Sequence, residues 1–346
     1  MTGVMEKGDL CLVTGISGYL ATWVGKYLLE EGYQVRGTVR SVNNLEQITK
    51  LREILPGATF VEADLRKAQG WTEAVEDVKW VFHVASPQAV PTEKDRTGGA
   101  TMGTEFLMNA ALNSVSVKKI VVTSSEAAIA YGHPSQKLLF TEDDWTNVEV
   151  ASADYMRSKT LAEQLAWRIA GDSERNPRKI PLSTVCPGAI MGPSLIPWGR
   201  YSSETLKNLA VGKTPFVFDM ISHYVDVRDC ARMHIAIMGN PQTNGHRHFS
   251  FSTKVRLQEV PGLIRRYYGH LGFKPAPFKM PKWVLRIMRM FNSDVDTIYS
   301  KIGTTPVYQT KYPNVYRYRY TDAHQMLKDT MDSMLAHRIL IPPSSN

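Results

Sequence analysis

Residues 10–21 read LCLVTGISGYLA, and this stretch decides the fold. LCLVTG (10–15) is a short apolar run closed by glycine, as in a strand buried on both faces. YLATWVGKYLLEEG (19–32) spaces its apolar residues three and four apart, as in a helix packed along one side. Between the two, Gly15 permits a tight turn. Gly18 lets the backbone approach a pyrophosphate lying on the helix N-terminus, where unpaired N–H groups favour anions. Ala21 stands where a third glycine often packs helix against strand. Placed between a strand and a helix, the string reads as a dinucleotide turn carried by Gly15, Ser17, Gly18, Tyr19 and Leu20. The alternative is a glycine turn without a ligand.

Working outward, strand and helix signals alternate. YQVRGTVR (33–40), TFVEADL (59–65), VKWVFHVAS (78–86), KKIVVTSS (118–125) and IPLSTVCPG (180–188) read as strands. Helical patterns lie at 43–55, 70–77, 97–114 and 153–171. Regular alternation predicts an α/β fold, a doubly wound parallel sheet (Rossmann) with helices on both faces. After Gly188 the pattern loosens, and from 253 three helical stretches follow, separated by Pro and Gly. We therefore expect a nucleotide-binding domain over 1–190, with 224–252 returning to it. A smaller, mostly helical substrate domain is expected over 191–223 and 253–346.

The chain has 346 residues, 43% apolar and 21% charged, with enough length for a sizeable core. No run of 18 apolar residues suggests a membrane-spanning helix. The first nine residues lack the apolar stretch of a signal peptide, so a cytoplasmic location is expected. Three cysteines, none in a CxxC pair, are too few for a disulfide framework, and no histidine or carboxylate pair has metal-ligand spacing. Residues 254–346 hold 15 Lys+Arg against 6 Asp+Glu, a net +9, and the rest of the chain is −1. Nothing in that third resembles a zinc finger, basic zipper or RNA-recognition module, and no nucleic-acid partner is expected. WVLRIMRMF (283–291) mixes apolar and basic residues like a membrane-surface helix, but a helix roofing the substrate pocket explains it better.

The second strand ends in Thr38-Val39-Arg40, where NAD-dependent enzymes place a carboxylate for the ribose 2′-hydroxyl. An arginine offers a fork for a 2′-phosphate, which points to NADP(H); the alternative is a solvated strand end. Asp64 and Leu65 after the third strand, and Val84, Ala85 and Ser86 after the fourth, fall where ligands bind at the carboxyl ends of parallel strands. Ser124 and Ser125 close the fifth strand, and Tyr155 and Lys159 open the long helix four residues apart on one face. An ammonium about 5 Å from a phenol, at an effective dielectric near 20, favours the phenolate by roughly 3 kcal/mol, or about two pKa units. Tyr155 would then give a proton to a carbonyl oxygen that a serine hydroxyl holds and polarises. His83 and His234 sit inside apolar patterns and read as core histidines. Asp226 and Arg228 read as a brace for the second domain.

TGISGYLA, VRGTVR, ADL, VFHVASP, VVTSSEAAIAYG, YMRSKTLAEQLAW, CPGAIMGP and YVDVRD together resemble the extended short-chain dehydrogenase/reductase superfamily, over most of residues 10–240. Within it they are similar to the dihydroflavonol 4-reductase-like branch of NADPH-dependent aldehyde and ketone reductases. The resemblance implies a catalytic set of Ser125, Tyr155 and Lys159, with Lys159 also holding the nicotinamide ribose. It assigns the 2′-phosphate to Arg40, a segment flanking the nicotinamide to 187–190 with Pro187 and Ile190, and a phosphate contact to Ser202 or Ser203. The plant flavonoid enzymes carry a polar residue near the position of Ala130, and a second basic residue of some relatives is replaced here by Gln47. Both differences argue against a dedicated flavonoid substrate.

The expected activity is NADPH-dependent reduction of an apolar or aromatic aldehyde or ketone to an alcohol, by a monomer or homodimer. The same scaffold also carries nucleotide-sugar epimerases and dehydratases and 3β-hydroxysteroid dehydrogenases. A non-catalytic NADP-sensing regulator is the alternative from another class, and the intact Ser-Tyr-Lys set speaks against it.

Overall fold

In a computed structural model of the chain, the residues described are 4–87, 96–151, 153–198, 204–214, 216–275, 278–292, 295–296, 299, 301–315 and 319–343. The strands are β1 (Leu10–Val13), β2 (Gln34–Val39), β3 (Thr59–Glu62), β4 (Trp80–His83), β5 (Lys119–Thr123), β6 (Leu139–Phe140), β7 (Leu182–Pro187), β8 (Ala189–Met191), β9 (Phe216–Val217), β10 (Ile221–Asp226), β11 (Arg247–Ser250), β12 (Thr253–Arg256), β13 (Phe278–Lys279) and β14 (Val307–Tyr308). The helices are α1 (Tyr19–Glu30), α2 (Leu45–Ile54), α3 (Trp71–Ala74), α4 (Arg96–Asn113), α5 (Asp154–Gly171), α6 (Glu204–Ala210), α7 (Val227–Gly239), α8 (Val260–Tyr268), α9 (Lys282–Met288) and α10 (Ala323–Ala336).

A seven-stranded sheet runs in the order β11-β7-β5-β4-β1-β2-β3, with every neighbouring pair parallel. Strand β1 shows why the sheet is covered twice. Cys11 and Val13 enter one core with α1, α2 and α7, while Leu12 enters the other with α3, α4 and α5. The order reverses on either side of β1, between β2 and β4, which opens a crevice at the carboxyl ends of those strands. This is the doubly wound fold expected from the alternation.

The second lobe is less purely helical than expected. β10 joins β8 and β12 in a separate three-stranded sheet, so within 224–252 only β11 enters the main sheet as a strand. Short parallel pairs β9–β13 and β6–β14 add further β structure. A third core, with Met191, Leu209, Tyr224, Ile264, Phe273 and Met331, joins β8 and β10 to α6, α8 and α10. Arg228 grips Asp226 through Nε at 2.8 Å and Nη2 at 2.7 Å, and reaches Asp329 of α10 at 2.6 Å. These two residues therefore brace the lobe, as the sequence reading expects. Helix α9 turns Val284, Leu285 and Met288 inward, whereas Trp283 on it and Met290 and Phe291 just after it remain 67%, 75% and 84% exposed.

Candidate active site

The crevice is built from strand ends tied to one another. Gly15, at φ +63°, turns the chain out of β1, and a Cβ there would stand 3.0 Å from that of Ala85. Gly15 N–H donates to Thr38 Oγ1 at 2.8 Å, and Ile16 N–H to Thr38 O at 3.0 Å, locking the turn to β2. Ala85 N–H donates to Thr14 Oγ1 at 3.0 Å, so the Thr14 hydroxyl proton points to His83 Nδ1, also at 3.0 Å. Burial first, and the Lys159 charge second, push His83 down to about 3, so the ring stays neutral and works as a strap between β1 and β4. His234, buried and pushed down to about 4, is likewise a packing residue: it donates to Cys230 O at 2.8 Å and accepts from Thr123 Oγ1 at 2.8 Å.

The residues read as a dinucleotide cradle converge on this crevice. Gly18 is the N-cap of α1, with no side-chain cap and no acidic residue in the first turn, so the helix leaves its first N–H groups to an incoming anion. Arg40 is exposed at the end of β2. Asp64 stands close enough to feel its charge, but the hydrogen bonds of Arg66, through Nε at 3.1 Å and Nη2 at 2.9 Å, chiefly hold the Asp64 carboxyl below its usual range. Leu65 packs against Gly103 of α4, where a Cβ would come within 2.4 Å. Leu20 is buried; Tyr19 donates to Gly192 O at 2.6 Å. Trp198, which the sequence reading did not single out, donates to Ser17 O at 3.2 Å and brings the 192–198 loop over the glycine turn. Val84, Ala85 and Ser86 follow β4, Pro187 ends β7, and Ile190 lies in β8 opposite Val225. Ser202 and Ser203 lie outside the described residues.

An uncapped helix start, a glycine turn without room for a side chain, and a strand-end arginine with no carboxylate hydrogen-bonded to it among the described residues form a donor set that fits a dinucleotide with a 2′-phosphate. Among the described residues, no cluster of His, Cys, Asp and Glu could hold a metal, and no helix is long and apolar enough to cross a membrane.

Ser125 caps the short 3₁₀ turn 126–128, accepting from Ala127 N–H at 3.1 Å. Tyr155, in the first turn of α5, directs its hydroxyl to Ser125 Oγ at 3.5 Å. One helical turn on, Lys159 donates to the Thr123 carbonyl at 3.3 Å. The structure thus brings Ser125, Tyr155 and Lys159 together beside the crevice. The electrostatics differ from the sequence expectation. Tyr155 is raised above its ordinary value, by burial of the hydroxyl and then by the Glu126 charge, against the Ser125 hydrogen bond. The residue as a whole is 43% exposed, and its hydroxyl is directed to the serine turn. Burial pushes Lys159 itself down to about 8, against the Glu163 charge.

Glu163 is the residue the motif reading missed. It lies four positions after Lys159 on the same helix face, and it accepts from Ser124 Oγ, Thr184 Oγ1 (2.7 Å) and Trp167 Nε1 (3.2 Å). Arg247 of β11 grips it through Nε at 2.8 Å and Nη2 at 2.9 Å. Burial works against its charge, but Arg247 and these hydroxyls keep the carboxyl below its usual range. The only sequence signal was a glutamate continuing the Tyr-Lys face of the helix.

A family model described as "NAD dependent epimerase/dehydratase family" matches residues 11–251. The chain belongs to that family, the extended short-chain dehydrogenases/reductases. Among curated relatives it is similar to tetraketide alpha-pyrone reductase 1 of Arabidopsis thaliana, 34% identical over 80% of this chain and 85% of that one. It is also similar to cinnamoyl-CoA reductase CAD2 of Medicago truncatula, 30% identical over 76% and 82% of the two chains. Among solved structures, vestitone reductase from alfalfa superposes with a TM-score of 0.73 at 26% identity, over 96% of this chain and all of that one. Gre2 of Candida albicans, in complex with NADPH, shares the fold with a TM-score of 0.77 at 24% identity, over 95% and 99% of the chains.

Proposed function

We propose that this extended short-chain dehydrogenase/reductase is an NADPH-dependent carbonyl reductase that converts an aldehyde or ketone to an alcohol. The observation that carries the proposal is the convergence of Ser125 and Tyr155 hydroxyls, with Lys159 one turn behind, at the mouth of a crevice whose strand ends suit a 2′-phosphorylated dinucleotide. The reductase names of its relatives agree with it.

The reduced nicotinamide, when bound, supplies the hydride equivalent. The protein's own groups do the rest. The substrate carbonyl oxygen lies between Ser125 Oγ and Tyr155 Oη, where a 3.5 Å gap leaves both hydroxyls able to turn toward it. Ser125 donates to that oxygen and orients it. Tyr155 passes its phenolic proton to the same oxygen as negative charge develops there. Tyr155, raised above its ordinary value, carries that proton throughout the neutral range. Lys159, at about 8, is charged at neutral pH and holds its proton between the Thr123 carbonyl and the ribose it would grip. The first lobe thus holds the cofactor, and the second closes the substrate pocket.

The test is loss of NADPH absorbance against an aromatic aldehyde, an α-diketone, a dihydroflavonol, a ketosteroid and a UDP-sugar. Wild type and Tyr155→Phe run side by side, each also with NADH. Carbonyl turnover that the substitution lowers by roughly 10²–10⁴-fold, with NADPH binding kept, supports the reading. Tight NADPH binding without turnover of any carbonyl sinks it.

A further inference from the structure

The stretch KWVLRIMRMFN (282–292) is used by the core on one side only. Inward, Val284, Leu285 and Met288 pack on a small core with Met280, Val295 and Ile302. Outward, Trp283, Ile287, Met290 and Phe291 are 67%, 52%, 75% and 84% exposed. Positions 283, 287 and 290 are four and three apart, so they form one stripe. The stripe continues past the end of α9, because Arg289 N–H donates to Leu285 O at 3.0 Å, Met290 N–H to Ile287 O at 3.1 Å and Phe291 N–H to Met288 O at 3.0 Å. From Trp283 to Phe291 it runs about 12 Å. Large apolar side chains gathered on a surface mark a contact with an apolar phase or partner.

Charge decides between them. Residues 278–292 hold four basic side chains, Lys279, Lys282, Arg286 and Arg289, and no acidic one. Lys279 pairs with Asp219, and Arg289 with Asp296 at 2.7 Å. Lys282 and Arg286 are both exposed and have no ion pair among the described residues, and Arg286 lies on the stripe between Trp283 and Met290. The 254–346 part of the chain around them is +9. A second copy of the chain suits this face badly, since a twofold contact sets Lys282 and Arg286 against their own like charges. The apolar side chains stand out from the surface and line no groove, which suits entry into a deformable phase. We propose that this face of α9 rests on an anionic lipid bilayer, with Trp283, Ile287, Met290 and Phe291 entering the boundary between headgroups and acyl chains and Lys282 and Arg286 meeting anionic headgroups. Aromatic and aliphatic residues interleaved with uncompensated cations are the composition of a helix lying in that plane. Apolar insertion supplies adhesion to any bilayer, and the cations select the anionic one. None of this depends on Ser125, Tyr155 or Lys159, so it stands whatever reaction the crevice performs.

The experiment floats the full-length protein with vesicles of phosphatidylcholine, alone or mixed with phosphatidylserine. The expected result is stronger binding to the mixed vesicles, weakening as salt is added. Lys282→Gln and Arg286→Gln are each expected to lower the partition coefficient by about fivefold, as loss of one cation near the surface implies. Trp283→Ser and Phe291→Ser are each expected to lower it by roughly tenfold. Their Tm should not change, because neither side chain is buried. Bromine-labelled acyl chains should quench tryptophan emission in the wild type, and Trp283→Phe should keep binding while losing most of that quenching. Equal partition onto neutral and mixed vesicles, binding that survives Trp283→Ser combined with Arg286→Gln, or quenching unaltered in Trp283→Phe overturns the proposal. So does absence of binding to both kinds of vesicle. A dimer seen by sedimentation without lipid, and dissociated by Trp283→Ser, would assign the face to a second copy and overturn it as well.

Discussion

Replacing Arg247 by methionine tests whether the buried pair beneath the site holds the serine turn. Arg247 is 7% exposed, and its guanidinium, besides gripping Glu163, donates to Glu142 O at 2.9 Å, Asp144 O at 2.6 Å and Ala128 O at 3.3 Å, with its plane 3.7 Å over the Trp145 ring. Methionine fills much of the same volume but leaves Glu163, itself 1% exposed, as a buried anion held by Ser124, Thr184 and Trp167. Stranding one partner of a buried pair costs about 3–5 kcal/mol. For a chain of this length that corresponds to roughly 4–7 °C in Tm. Urea unfolding at neutral pH should show that loss as a lower midpoint at constant slope. Glu163→Leu combined with Arg247→Met should recover most of it, because an apolar pair strands no charge. Turnover should fall in the single variant, since the Ala128 carbonyl at the end of the serine turn loses its bond from Arg247. The sign with pH follows from the depressed Glu163 carboxyl. The wild type gains stability from it above the usual carboxylate range and loses that contribution as pH falls toward the lowered value. Arg247→Met should flatten this acid dependence. A loss below about 1 kcal/mol, or a double variant as unstable as the two singles added together, refutes the reasoning.

Two further outcomes follow from single residues. Arg40→Gln should raise the KM for NADPH by roughly 10–100-fold, as loss of a charge-assisted contact implies, and leave that for NADH almost unchanged. Equal effects on both cofactors would show that Arg40 does not meet the 2′-phosphate. Lys119 is 2% exposed, donates to Ile237 O, Asn240 O and Thr243 Oγ1 at the end of α7, and is pushed down to about 7 by burial. Between about 7 and the unfolded lysine value the unfolded chain binds more protons, so this group's contribution to stability rises with pH. Denaturant titrations at several pH values should show the difference between wild type and Lys119→Met growing toward alkaline pH, and a constant difference would contradict it.

How far the sequence could be read depended on how local each feature is. β1, β4 and β5 declare themselves as apolar runs because parallel strands between two helical layers are buried on both faces. β11 did not stand out as a seventh sheet strand: its four residues, Arg247–Ser250, include three polar ones, and the burial of Arg247 is compensated by Glu163, remote in sequence. β10 reads like a returning sheet strand, yet its register with β8 and β12 comes from long-range packing that no local pattern encodes. The Ser125, Tyr155 and Lys159 set was legible from its place after the fifth strand and at the start of a long helix.

The charge relations within the site were not legible, for a physical reason. A four-residue spacing puts Tyr155 and Lys159 on one face of α5, but it says nothing about where the ammonium finds its acceptor. Here that is the Thr123 carbonyl, at the end of β5. The groups that govern the two residues instead lie far along the chain from their own partners. Glu163 is balanced by Arg247, 84 residues on, and Glu126 by Lys301, 175 residues on. Each of those cations comes from the part of the chain after residue 240, whereas each anion belongs to the nucleotide-binding half. The chain after residue 240 therefore supplies the counter-charges of a buried Glu163 and a half-buried Glu126 beside the serine turn. Changes to the electrostatics of this site should accordingly be sought in β11 and the 301–308 segment as much as in the Tyr-Lys helix.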